Sequence, residues 1–98
     1  MLVAAKEYFN LPNSVVGVVH DKSTWGRRGL AVQNTVLEPG WRGYLTIELT
    51  NHGTDTITLE DGVGLAQIVF HHMDWASERP YDGKYQDQKP GPQEARFE

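Results

Sequence analysis

Residues 44–50 read Tyr-Leu-Thr-Ile-Glu-Leu-Thr, a strict alternation. In an extended chain it puts Leu45, Ile47 and Leu49 on one face and Tyr44, Thr46, Glu48 and Thr50 on the other. A helix would scatter that period, so the segment predicts a strand with one buried face. The rest of the chain is punctuated on a similar scale. Residues 2–9 predict a first strand, closed by Leu11-Pro12-Asn13, and the valine-rich residues 14–20 a buried second one. Residues 21–29 are polar and basic, which suits a loop or a single helical turn. Residues 30–36 predict a further strand ended by Glu38-Pro39-Gly40, residues 56–59 another after Asn51-His52-Gly53, and residues 65–70 the last after Asp61-Gly62. Turn signals recurring every 8–12 residues or so, with no sustained helical period, predict an all-β domain: a β-sandwich, jelly roll or small barrel.

Composition narrows the partners. The 98 residues hold nine Lys+Arg against thirteen Asp+Glu, a net charge of −4, which argues against a general nucleic-acid or membrane-surface binder. Zero cysteines remove disulfides, thiol nucleophiles and thiolate zinc sites together. No apolar run approaches the roughly 20 residues of a membrane span, so a cytoplasmic protein is expected. So small a chain is expected to complete its core by self-association. From Glu78 onward the composition changes. Pro80, Pro90 and Pro92 stand among many Gln, Asp and Lys residues, with Tyr81, Tyr85 and Phe97 as the large apolar anchors. Residues 1–78 therefore read as the core, and residues 79–98 as a polar arm, free or docked.

Four constellations carry possible chemistry. Asp21-Lys22-Ser23-Thr24-Trp25-Gly26-Arg27-Arg28-Gly29 has the cations, hydroxyls and glycines of an anion cradle, although it is not a Walker A loop. A solvated basic turn is the alternative. Glu48, in the best strand, is either a solvent-facing carboxylate or, if its face walls a pocket, a group suited to general-base work. The turn Glu38-Pro39-Gly40-Trp41-Arg42-Gly43 offers Trp41 for a sugar or base, or simply for packing. Tyr81, Lys84, Tyr85 and Gln88 on the arm can close over a ligand or stay in solvent. The histidines suit structural or surface roles: His71 and His72, adjacent on a strand, point to opposite faces, while His20 and His52 fall at element ends.

Taken together these segments resemble the deoxycytidine triphosphate (dCTP) deaminase family of the dUTPase-like superfamily. The resemblance rests on Lys22-Ser23-Thr24-Trp25-Gly26-Arg27, Glu38-Pro39-Gly40-Trp41-Arg42-Gly43-Tyr44, Thr46-Ile47-Glu48-Leu49, Gly64-Leu65-Ala66-Gln67, and Pro80-Tyr81 with Gly83-Lys84-Tyr85-Gln86-Asp87-Gln88, all in that order. It implies a distorted β jelly roll or sandwich of the dUTPase-like type, assembled as a homotrimer with nucleotide sites between subunits. The implied reaction is dCTP plus water giving dUTP plus ammonia. Glu48 matches the family's general acid/base, and Ser23 and Arg27 match residues that position the water and polarise the site. Lys22, Ser23 and Thr24 match the triphosphate-binding stretch, within which Trp25 and Gly26 also lie. Glu38 matches the acid near the deoxyribose, and Thr46-Ile47 the strand that reads the base through its backbone. Gln67, Tyr81, Lys84 and Gln88 match the remaining nucleotide contacts, with the arm as a lid.

The resemblance and the composition agree. Zinc deaminases draw ligands from a Pro-Cys-x-x-Cys motif, so a deaminase without cysteine is expected to be metal-free at the base and to rely on a positioned carboxylate. Magnesium is expected only as the companion of the triphosphate. Lys22 stands where the family often has arginine, exchanging a bidentate fork for a point charge. Family subunits are longer, with additional strands and helical structure before the segment matched near Leu2, so a shortened form lacking the N-terminal part is expected. Two alternatives share the same residues. A dUTPase or bifunctional deaminase–dUTPase would use Glu38 to activate water and release dUMP and pyrophosphate. A non-catalytic protein would bind or sequester the nucleotide.

Overall fold

A computed structural model describes residues 1–97, and the chain folds as two three-stranded antiparallel sheets. The elements are β1 (Leu2–Asn10), β2 (Val15–Asp21), the single helical turn α1 (Ser23–Gly26), β3 (Leu30–Val32), β4 (Val36–Leu37), β5 (Arg42–Asn51) and β6 (Ala66–His72). The strands order β1-β5-β3 in one sheet and β4-β2-β6 in the other.

Alternation on β5 sets the layering. Leu45 and Leu49 are buried with Val32 and Leu30 of β3, Val19 of β2, Leu37 of β4, and Leu11 and Trp41 from the turns. Val19 and Leu37, at 0% and 2% exposure, mark the centre. Tyr44, Thr46, Glu48 and Thr50 are half-buried on the opposite face. In the other sheet Val18 pairs with Val36 on one side and Val69 on the other. That row lies across the face turned away from Val19, with Val36 and Val69 exposed.

The β1–β5 ladder is interrupted once. Leu2, Val3 and Ala4 pair with Glu48, Ile47 and Thr46, then pairing resumes as Tyr8 with Tyr44, Phe9 with Gly43 and Asn10 with Arg42. Ala5, Lys6 and Glu7 thus stand opposite Leu45 alone, a bulge that bends the strand. Beyond it Tyr8 meets Tyr44 edge to face, with ring centres 5.3 Å apart.

Two expected strands differ. Residues 30–36 do not form one strand but break at 33–35, which sends β3 to one sheet and β4 to the other. The crossing is tied by the Val19 N–H donating to Thr35 O at 2.9 Å and the Gln33 N–H donating to Glu48 O at 3.0 Å. Residues 56–59 are not a strand. Ile57 and Leu59 instead pack irregularly against the core, so their alternation reflects burial without a strand partner. No helix among the described residues is long and apolar enough to cross a membrane.

Candidate functional site

The outer face of β5 floors a cleft of about 650 Å³. Glu38, Thr46, Glu48, Tyr81 and Gln88 all line it. Leu37, Trp41 and Leu45 back it with apolar surface, and Tyr85, Gln93, Glu94 and Ala95 close its arm side. A mostly apolar concavity with a few convergent polar groups is the usual form of a small-molecule site. Glu48 sits at one end with its side chain 42% exposed, and its Oε1 lies 3.2 Å from the amino group of Met1. That amino group also donates to Leu49 O at 3.0 Å.

The arm is held against this face by specific contacts. Gly43 and Gln88 form a parallel bridge, the Tyr44 N–H donates to Gln88 O at 3.0 Å, and the Asp87 N–H donates to Arg42 O at 2.9 Å. Trp41, buried in the core, turns its indole N–H outward to Tyr85 O at 2.9 Å. The Gln88 side chain donates to Tyr44 O at 2.8 Å and to Thr46 Oγ1 at 3.4 Å, and the Gln93 N–H donates to the same hydroxyl at 3.0 Å. Arg42 and Asp87 form a two-pronged ion pair whose Nη2–Oδ2 arm measures 3.0 Å. The hydrogen bond to Asp87, and then its charge, raise the Arg42 pKa above the ordinary arginine value, so the guanidinium stays charged.

A second group of candidate residues assembles elsewhere. Lys22, Ser23, Thr24, Trp25, Gly26, Arg27 and Gln67 do not line the cleft. Ser23, Thr24, Gly26 and Arg27 are exposed around α1. The Trp25 indole donates to Gly64 O at 2.9 Å, and the Gln67 amide donates to Asp21 O at 2.8 Å, so both ends of the 21–25 segment are anchored to residues 64–67. Arg28 stacks over the Trp25 ring at 5.6 Å. Ile47 faces between the sheets, opposite Glu48, and Lys84 is exposed with its ammonium 5.6 Å from the Tyr85 ring. The single chain therefore holds a carboxylate cleft and, apart from it, a basic loop. Among the described residues no group of three or more His, Asp or Glu side chains gathers to hold a metal ion.

Sequence reasoning passed over several participants. Thr35 and Leu2 line the cleft, and Gln86, Arg42 and Asp87 fasten the arm. Gln86 lies in the turn of residues 84–87 and its side chain meets only backbone groups, so no residue pattern signals it.

The matches to known proteins agree with one another. Residues 1–73 match a family model described as dCTP deaminase-like. A Methanopyrus kandleri protein named "dCTP deaminase, dUMP-forming" is 40% identical over 89 residues, covering 85% of this chain and 46% of that protein. A dCTP deaminase from Herpetosiphon aurantiacus is 41% identical over 85 residues, covering 84% of this chain and 46% of its own length. One from Chlamydia muridarum is 40% identical over 91 residues, covering 90% and 48%. The chain spans about half the length of the curated relatives it matches.

Proposed function

The chain belongs to the dCTP deaminase-like family, and from that membership we propose that it acts in the hydrolytic deamination of dCTP to dUTP and ammonia. The observation that carries this reading is Glu48, a half-exposed carboxylate lining one cleft with Glu38, Thr46, Tyr81 and Gln88. In this reading Glu48 takes a proton from water as its oxygen attacks C4 of the cytosine ring. It passes that proton to the ring nitrogen, then carries the proton of the new C4 hydroxyl to the amino group, so that C4–NH2 becomes C4=O and ammonia leaves. Thr46 and Gln88 present polar groups to the base and sugar, Glu38 faces the deoxyribose, and Tyr81 covers it. Residues 79–98 act as the lid over the core of residues 1–78, excluding water and strengthening the charge interactions at Glu48.

The basic loop completes the site from a neighbouring subunit. Lys22, Ser23 and Thr24 hold the triphosphate, while Ser23 and Arg27 position the water and polarise the ring. Two observations support a shared site: the loop lies apart from the cleft within one chain, and the exposed valine row on the β4-β2-β6 sheet offers an apolar face for self-assembly as a jelly-roll homotrimer. Magnesium would enter only as the companion of the triphosphate that Lys22, Ser23 and Thr24 hold, and would offset part of its charge. The chemistry at the base uses no metal.

A second reading has a specific observation in its favour. The Methanopyrus relative's name includes dUMP formation, and Glu38 lines the same cleft as Glu48. Glu38 is then the carboxylate that activates a second water for release of pyrophosphate. One experiment separates the readings. The protein is incubated with dCTP and magnesium, and dCTP, dUTP and dUMP are resolved by chromatography. dUTP alone supports deamination, dUMP with pyrophosphate supports the bifunctional reading, and dCTP binding without product leaves a sequestering protein.

A further inference from the structure

Gln86 does not line the cleft, yet its side chain makes more hydrogen bonds than any ligand-facing group around it. Its Oε1 accepts the Arg42 N–H at 2.8 Å. Its Nε2 donates to Gly40 O at 3.0 Å and to Tyr81 O at 3.1 Å. One planar amide thereby joins three backbone positions: the 38–41 turn, the first residue of β5 and the start of the arm. Each belongs to a different wall of the cleft. Glu38 and Trp41 come from the turn, Thr46 and Glu48 from β5, and Tyr81, Tyr85 and Gln88 from the arm.

The chemistry selects glutamine. The position needs one acceptor and two donors on a rigid plane, which a carboxamide supplies and a carboxylate does not. A glutamate would keep the bond from Arg42 but turn a bare oxygen toward the Gly40 and Tyr81 carbonyls. The neighbouring ties support the same contact from outside. The Tyr85 N–H donates to Tyr81 Oη at 2.9 Å, which closes the 81–85 turn, and Asp87 pairs with Arg42 immediately after it.

We propose that Gln86 is a positioning residue, a three-point latch that sets the width of the cleft by fastening the arm to the 38–42 turn. The latch itself follows from the hydrogen bonds; its bearing on nucleotide rests on the deaminase reading above. Gln86→Met keeps the length and bulk of the side chain and removes all three bonds. Hydrogen exchange read by mass spectrometry is expected to rise at least tenfold over residues 80–93, with β2 and β6 unchanged. dCTP affinity, from calorimetry, is expected to fall about tenfold while the melting temperature stays near wild type. Gln86→Glu is expected to loosen the arm as much or more.

Wild-type exchange in both variants overturns the latch. Faster exchange with unchanged dCTP affinity overturns the positioning role. A global loss of protection or a collapsed melting temperature shows a merely structural residue and also overturns it. Wild-type protein that binds no dCTP overturns the nucleotide reading alone, because the exchange measurement still passes or fails the latch.

Discussion

Gly43 and Gln88 lie side by side as a parallel β-bridge, and a methyl group on Gly43 would stand 2.6 Å from the Gln88 nitrogen. Gly43 also has φ +144°, a backbone region that favours glycine. Gly43→Ala is therefore expected to lift the arm off β5 while leaving the two sheets paired. Limited proteolysis should cut between residues 80 and 93 in the variant and not in wild type, and equal resistance would remove the bridge from the account of the arm.

Glu48→Gln keeps the shape of the side chain and removes its capacity to take a proton. Turnover of dCTP is expected to fall by at least about a hundredfold, with dCTP binding retained within a few-fold. Ammonia release and calorimetry on the same sample check both halves. Turnover near the wild-type rate would end the assignment of Glu48.

A shared site makes a mixing experiment decisive. Arg27→Ala and Glu48→Gln are each expected to be inactive alone. If each site takes its loop from one subunit and its carboxylate from the next, an equimolar exchanged mixture recovers about a quarter of wild-type activity, the chance that both halves are intact. No recovery after demonstrated subunit exchange would mean that loop and cleft act within one chain.

Leu37 is 2% exposed and borders both the core and the cleft. Leu37→Ala is expected to destabilise the fold by about 2–5 kcal/mol, from lost apolar burial and the cavity left behind. Urea unfolding followed by tryptophan fluorescence reads this, since Trp41 packs in the same core. A change below about 1 kcal/mol would mean that the site collapses around the deletion.

Thr46 Oγ1 accepts from both the Gln88 side chain and the Gln93 N–H. Thr46→Val removes that acceptor at nearly constant volume, and faster exchange is expected at Gln93 and its neighbours. Unchanged exchange there would show that the remaining arm contacts suffice.

Much of this architecture is legible in the residues. The alternation of 44–50 identifies β5, its buried face and the outer position of Glu48, because period two leaves a half-buried strand little choice. Residues 30–36 mislead because an apolar run does not record where the chain changes sheets. The break at 33–35 depends on the Thr35 and Glu48 carbonyls, which come from outside or at the edge of the run. Residues 56–59 mislead for a related reason: Ile57 and Leu59 meet the core, but no neighbouring edge accepts their backbone. In the site, Glu38, Thr46, Glu48, Tyr81 and Gln88 were named from their motifs, and one cleft contains them. Gln86 was not singled out, since its partners are backbone atoms that leave no imprint on residue identity.

The bulge in β1 takes up two surplus residues without turning the strand over. Val3 before it and Phe9 after it both turn inward, while Leu2 and Tyr8 both turn outward. A bulge absorbs extra chain by a local bend and twist while the pairing on either side keeps its partners. Loss of one of residues 5–7 would leave two residues opposite Leu45, the ordinary form of bulge, so the length of β1 can vary here while the faces of Val3 and Tyr8 stay set by Ile47 and Tyr44.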